Sequence, residues 1–150
     1  MKLPLENNER KNLRLAKVKQ IKIPEIEIDR LAQFLDSSLK RAKYIKALAE
    51  FQMIPSIGPK IAQSVIDLGY YSLADMKDQT GAELINRLEK QKGYWHDPCA
   101  EDALRCIVHH ANHPDSNKNW WHFTSERKKF RVQYGYPQDR PIKLWYEKKH

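Results

Sequence analysis

The sequence predicts an all-α protein of about five or six helices. Three observations carry that class. Apolar residues recur three and four apart in one segment after another, and no stretch alternates as a strand does. Prolines stand where helices begin, and a glycine stands where one ends. Ser, Thr and Asp precede several apolar-periodic runs at the spacing of N-caps and capping boxes.

The elements follow in order. Residues 8–21, NERKNLRLAKVKQI, form a short basic helix, with Leu13, Ala16 and Val18 too sparse for a strong apolar face. Pro24 suits a first helical turn, and Ile28, Leu31, Ala32 and Leu35 follow at helical spacing. Asp36-Ser37-Ser38 breaks that run and offers N-cap oxygens to a stripe of Leu39, Ala42, Ile45, Leu48 and Ala49. Pro59 opens the next helix, with Ile61, Ala62, Val65, Ile66 and Leu68 on one face and Gly69 as its left-handed terminator. Capping boxes at Ser72–Asp75 and Thr80–Glu83 each start another helix, and Asp97-Pro98 starts one that reaches about Asn112. After a linker at 114–119, Trp120-Trp121 precedes a short helix from Thr124 to about Arg131.

Hydrophobic residues make up 41% of the 150, enough for a core. No apolar run approaches a membrane span, and the opening residues lack a signal peptide's apolar stretch. Cys99 and Cys106 are too few for a disulfide framework, so a reducing, cytoplasmic location is expected, with no membrane partner. The net charge of +8 is unevenly spread. Residues 1–23 carry seven Lys/Arg against two acids, residues 118–150 nine against three, and residues 24–117 eleven against fourteen. This divides the chain into a basic N-terminal extension (1–23), a helical domain (24–117) and a basic aromatic C-terminal extension (118–150). Basic ends on a near-neutral middle fit a polyanionic partner, or surfaces that only aid solubility.

The tightest restraint lies at residues 54–62, IPSIGPKIA. Pro55 fixes one φ, Gly58 is expected to take φ > 0, and Pro59 lacks an N–H at no cost at a helix start. Two helices joined by a tight hairpin result. The second helix's N-terminus, with its N–H groups and dipole, attracts an anion such as phosphate, and Lys60 adds a point charge. On the approaching helix, Lys40, Arg41, Lys43 and Lys46 carry four positive charges with no acid between them.

Ile54, Pro55, Ile57, Gly58, Lys60, Ile61 and Ala62 resemble the helix-hairpin-helix DNA-binding motif, whose hairpin commonly reads Leu-Pro-Gly-(Ile/Val)-Gly-x-Lys. Ser56 departs from it, standing at the first glycine. The resemblance implies a helix-hairpin-helix core with sequence-independent contact to a nucleic-acid backbone. The N–H groups of Ser56 and Gly58 and the Lys60 side chain would face phosphates, with Ile57 between them. The carbonyls of Gln52, Ile54 and Ile57 would be candidates for a monovalent cation. From about residue 39 to 124 the chain is similar to the bacterial pathogenicity-locus helix-hairpin-helix proteins. That wider resemblance rests on the hairpin, on DPCAEDALRCIVHHA and on NWWHFT, and it implies a fold more than an activity.

Other constellations carry less. Cys106 and His110 are four apart, as are His109 and His113, but the cysteines share a helical arc with Ala103, Leu104 and Ile107. Both cysteines are therefore expected to be reduced, buried and without metal, and no closing ligand pair follows, His122 being the one candidate. His96-Asp97-Pro98-Cys99 is half of a zinc-deaminase signature without its second cysteine. No catalytic residue can be named. Trp120, Trp121, Phe123 and Trp145, interleaved with Arg127, Lys128, Lys129 and Arg131, could stack on single-stranded bases, although Trp121 is expected to pack. The readings that result are non-catalytic DNA binding, a protein–protein adaptor with a structural hairpin, and a small nucleic-acid-processing enzyme.

Overall fold

The computed structural model describes residues 1–147. Helices account for the whole fold, as the periodicity predicts. Seven α-helices and four short 3-10 turns are present among the described residues, with no strand and one isolated bridge, Trp95 to Leu144. None of these helices is long and apolar enough to cross a membrane. The chain divides into two compact units, Met1–Ser72 and Leu73–His150.

The first unit contains α1 (Asn7–Leu15), a 3-10 turn (Gln20–Glu25), α2 (Ile28–Leu35), α3 (Leu39–Gln52) and α4 (Pro59–Asp67). Pro24 sits inside the 3-10 turn and does not open α2, which starts four residues later. Helix α2 ends on Asp36 at φ 56, and Ser38 then caps α3 by accepting the Arg41 N–H at 3.1 Å. Helix α3 packs on α2 and α4, and α1 packs on α2. Ala42, Ile45, Leu48, Ala49 and Phe51 line its buried face, whereas Leu39 is exposed at the first turn. The segment 1–23 contributes Leu3, Leu5, Leu13 and Ile23 to this core, and burying such a side chain is worth about 1.5–3 kcal/mol. Its acidic residue Glu9 is also buried, and Arg41 of α3 meets it with Nη2 on Oε1 at 2.9 Å and Nε on Oε2 at 3.1 Å.

The second unit is built around α6 (Pro98–Asn112), on which α5 (Gly81–Lys92), the turn Trp120–Phe123 and α7 (Thr124–Tyr134) pack. Thr80 caps α5 by accepting the Glu83 N–H at 3.2 Å, and Asp97 caps α6 by accepting the Cys99 N–H at 2.9 Å. The Ser72–Asp75 capping pattern starts only a 3-10 turn, Leu73–Met76, whose Met76 is buried. Gly81 lets α5 approach α6 closely: a Cβ there would lie 2.3 Å from Arg105 Cγ. Cys106 is buried, and its thiol is pushed up to about 11 by that burial. Cys99 is exposed, contrary to expectation, because the first turn of α6 puts it on the outer side.

Three carboxylates of this unit, Glu89, Glu101 and Asp102, are almost fully buried, and each is met by arginine. Arg140 reaches Glu89 at 2.8 Å, Arg105 and Arg131 both reach Glu101 at 2.9 Å, and Arg127 reaches Asp102 at 2.6 Å. Thr124 adds its hydroxyl to Asp102 at 2.8 Å. Breaking such a pair by removing one partner costs about 3–5 kcal/mol, because the other charge stays buried. Three of these arginines come from residues 118–150, so that basic stretch is held to the unit by its own charges.

Candidate nucleic-acid interface

The hairpin between α3 and α4 is built by six residues. Ile54 and Ile57 are buried, each 5% exposed, and fasten the loop to the core from both sides. Between them the Ile57 N–H donates to the Ile54 carbonyl at 3.1 Å, with Pro55 and Ser56 as the central residues. Ser56 has φ 66. A proline followed by a residue at positive φ, closed by that hydrogen bond, is the pattern of a type II turn.

This corrects the expectation for Gly58. Its φ is −97 and its ψ −176, extended backbone open to any residue, while the left-handed position belongs to Ser56. The physical reason is the turn type, which requires φ > 0 at the residue directly after the proline. Serine therefore occupies the position where the resembling motif carries its first glycine. Its hydroxyl folds back on the Pro55 carbonyl at 2.5 Å.

Ser56, Gly58, Pro59 and Lys60 are exposed and form the tip. The first hydrogen bond of α4 runs from the Ala62 N–H to the Gly58 carbonyl at 3.2 Å. The N–H groups of Lys60 and Ile61 thus precede the helical ladder, and Gly58 brings no side-chain cap. A net positive end of the helix dipole lies at the same place. Of the carbonyls expected to face a monovalent cation, those of Gln52, Ile54 and Ile57, that of Ile54 already accepts a hydrogen bond and would have to share its second lone pair.

The basic residues of α3 separate into two groups. Lys40 and Lys43 are exposed, Lys46 is half-buried, and the Lys43 ammonium lies 4.6 Å from the centre of the Tyr71 ring. Arg41 is spent within the fold. It also donates to the Pro4 carbonyl at 2.7 Å, and its bonds to Glu9 hold that carboxyl below its ordinary range. No local signal announces this pair, since its partners lie 32 residues apart.

The aromatic and basic residues after the linker also separate. Phe123 is buried, Trp145 meets Trp95 edge-on at 5.2 Å, and Arg127 and Arg131 are taken by the buried acids. Trp121 is 53% exposed, not packed as expected. His110 is buried, donating from Nε2 to the Lys118 carbonyl at 2.8 Å, and the His109 and His113 rings stack at 4.4 Å. Burial, with His113 beside it, holds the His109 imidazole below its ordinary range. No group of three or more His, Cys, Asp or Glu that could hold a metal occurs among the described residues.

The profile of the Cdd1 family, described as Pathogenicity locus, matches residues 44–129, more than half of the chain. The chain belongs to this family. The match to the Pathogenicity locus family includes the hairpin and Lys46 but begins after Lys40, Arg41 and Lys43. The chain is also similar to the mitomycin resistance protein McrB of Streptomyces lavendulae, 26% identical over 88 residues, which are 59% of this chain and 83% of that protein. No solved structure matches.

Proposed function

We propose that this member of the Pathogenicity locus family binds DNA without sequence preference and without catalysis, laying the phosphate backbone on the hairpin tip. The observation that carries the reading is the contrast within the loop. Ile54 and Ile57 are locked into the core, while Ser56, Gly58, Pro59 and Lys60 stand exposed over the start of α4. A rigid tip of backbone N–H groups beside one lysine suits a phosphate, and nothing in it distinguishes bases. Lys40, Lys43 and Lys46 extend the positive surface on α3, and Arg41 is left out because Glu9 holds it. A monovalent cation on the carbonyls of Gln52, Ile54 and Ile57 belongs to the same proposal and would stiffen the turn.

The test is an anisotropy titration of the full chain with random duplex and single-stranded DNA at two salt concentrations. Binding should fall steeply with salt, and Lys60→Ala should lower the slope by about one unit at every sequence tried. No binding at low salt would sink the proposal and favour the second reading, a protein adaptor. That reading is supported by Met53, 48% exposed next to the tip, where an apolar partner could seat. Growth under mitomycin, parent against Lys60→Ala, asks whether the resistance for which McrB is named extends to this chain.

A further inference from the structure

We propose that the outer face of α7 and the turn before it is a second nucleic-acid surface, one that takes single strands by stacking a base on Trp121. The reading is independent of the hairpin, which lies in the other unit.

The face is defined by what its opposite side does. Thr124, Arg127 and Arg131 point into the unit and are consumed by Asp102 and Glu101. At 3.6 residues per turn Lys129 lies opposite that side, and Ser125, Lys128 and Val132 follow one another along one flank, with Trp121 in the 3-10 turn just before the helix. All five are exposed, Val132 at 90%. Neither Lys128 nor Lys129 makes an ion pair among the described residues. On α7 the cations thus sort by type: arginines seal buried acids and lysines are left outside. The one acid on the helix, Glu126, turns away to Arg105 at 3.2 Å.

An indole more than half in water, followed along the chain by exposed Lys128 and Lys129, matches the two parts of single-strand recognition. An unpaired base offers a face to stack on, and phosphates offer charge to neutralise. From Trp121 to Val132 the turn and helix together run about 16–18 Å, the short end of known single-strand sites at about four nucleotides. A duplex keeps its bases stacked on each other and offers the indole nothing. The chemistry is poorer for the other occupants. Lysine is depleted from the cores of protein interfaces. A membrane-surface helix needs a broad apolar face, and here it is two residues wide.

The experiment is tryptophan fluorescence of the full chain titrated with oligothymidylate, with a duplex of equal length, and with anionic vesicles. Saturable quenching by the single strand is expected, with little from the duplex at the same concentration. Trp121→Ala should weaken single-strand binding about 5- to 150-fold, and Trp121→Phe should restore most of it. Replacing Lys128 and Lys129 together by alanine should lower the salt slope by about 1.4 units. Lys60→Ala should leave the quenching in place, so failure of the hairpin reading and failure of this one are distinguishable. Circular dichroism controls for folding, and if Trp121→Ala unfolds, the Phe and double-lysine variants decide. Absence of quenching at low salt, unchanged affinity in Trp121→Ala, or quenching by vesicles alone would overturn the proposal.

Discussion

Replacing Ser56 by glycine should stabilise the protein, the reverse of what a turn-tip mutation usually does. At φ 66 the serine Cβ crowds its own backbone, a cost of about 1–2 kcal/mol for an L-residue in the left-handed region. Glycine removes that cost but loses about 0.5–1 kcal/mol more chain entropy on folding. The Ser56 hydroxyl bond to Pro55 is exposed and contributes little to the balance. The net gain should be about 0.5–1 kcal/mol, or about 2–8 °C in Tm for a transition of a unit this size. The partner variant is Gly58→Ala. Its φ of −97 is open to alanine, and a Cβ there would meet nothing within 4 Å, so stability should change by less than about 0.5 kcal/mol. Urea unfolding followed by circular dichroism measures both. Loss of stability in Ser56→Gly would refute the left-handed assignment, and a cost above about 1 kcal/mol in Gly58→Ala would return the strained position to residue 58. DNA titration then separates fold from contact: Gly58→Ala should weaken binding without weakening the fold, since its methyl sits where a phosphate would approach.

Four further perturbations test the packing. Leu13→Ala should cost about 2–5 kcal/mol in urea unfolding, because Leu13 is 3% exposed; deleting residues 1–23 should be worse still. Acid should weaken the first unit through Glu9, whose carboxyl is held below its ordinary value of 4.5 chiefly by the Arg41 hydrogen bonds. The stabilisation is complete above that value and is lost as pH falls through the lower folded one, so Glu9→Gln should flatten the acid limb of a stability–pH profile. Gly81→Ala should destabilise by about 1–3 kcal/mol, read as a lower urea midpoint, since its Cβ would press on Arg105 Cγ and lie 2.9 Å from the Arg105 backbone nitrogen.

Local chemistry was legible wherever one residue type has one job. Pro59, Asp97-Pro98 and Thr80 mark helix starts in the sequence and do so in the structure, and Gly69 takes φ 100 as its place after α4 demands. The hairpin was legible as a hairpin for the same reason. Its internal conformation was not, because glycine advertises positive φ and serine does not, although only Ser56 follows the proline at the required distance. Long-range pairing was hidden altogether. Glu9 and Arg41 meet only because α1 and α3 both pack on α2, and nothing local to Glu101 and Asp102 announces the arginines that reach them. Trp121 was misjudged with them: in the 3-10 turn before α7, Phe123 takes the buried place and the indole is left 53% exposed.

The sealed arginine–carboxylate pairs also decide how the molecule answers to electrolyte. Ions screen exposed charges over about 10 Å at 0.1 M, but they reach buried pairs poorly. Glu89, Glu101 and Asp102 are 2% exposed or less, so their bonds to Arg140, Arg131 and Arg127 should survive salt that screens the exposed Lys128 and Lys129. The second unit therefore behaves as two electrostatic populations, one deaf to ionic strength and one tuned by it. A rise in salt quiets the outer charges without loosening the inner pairs that hold the unit together.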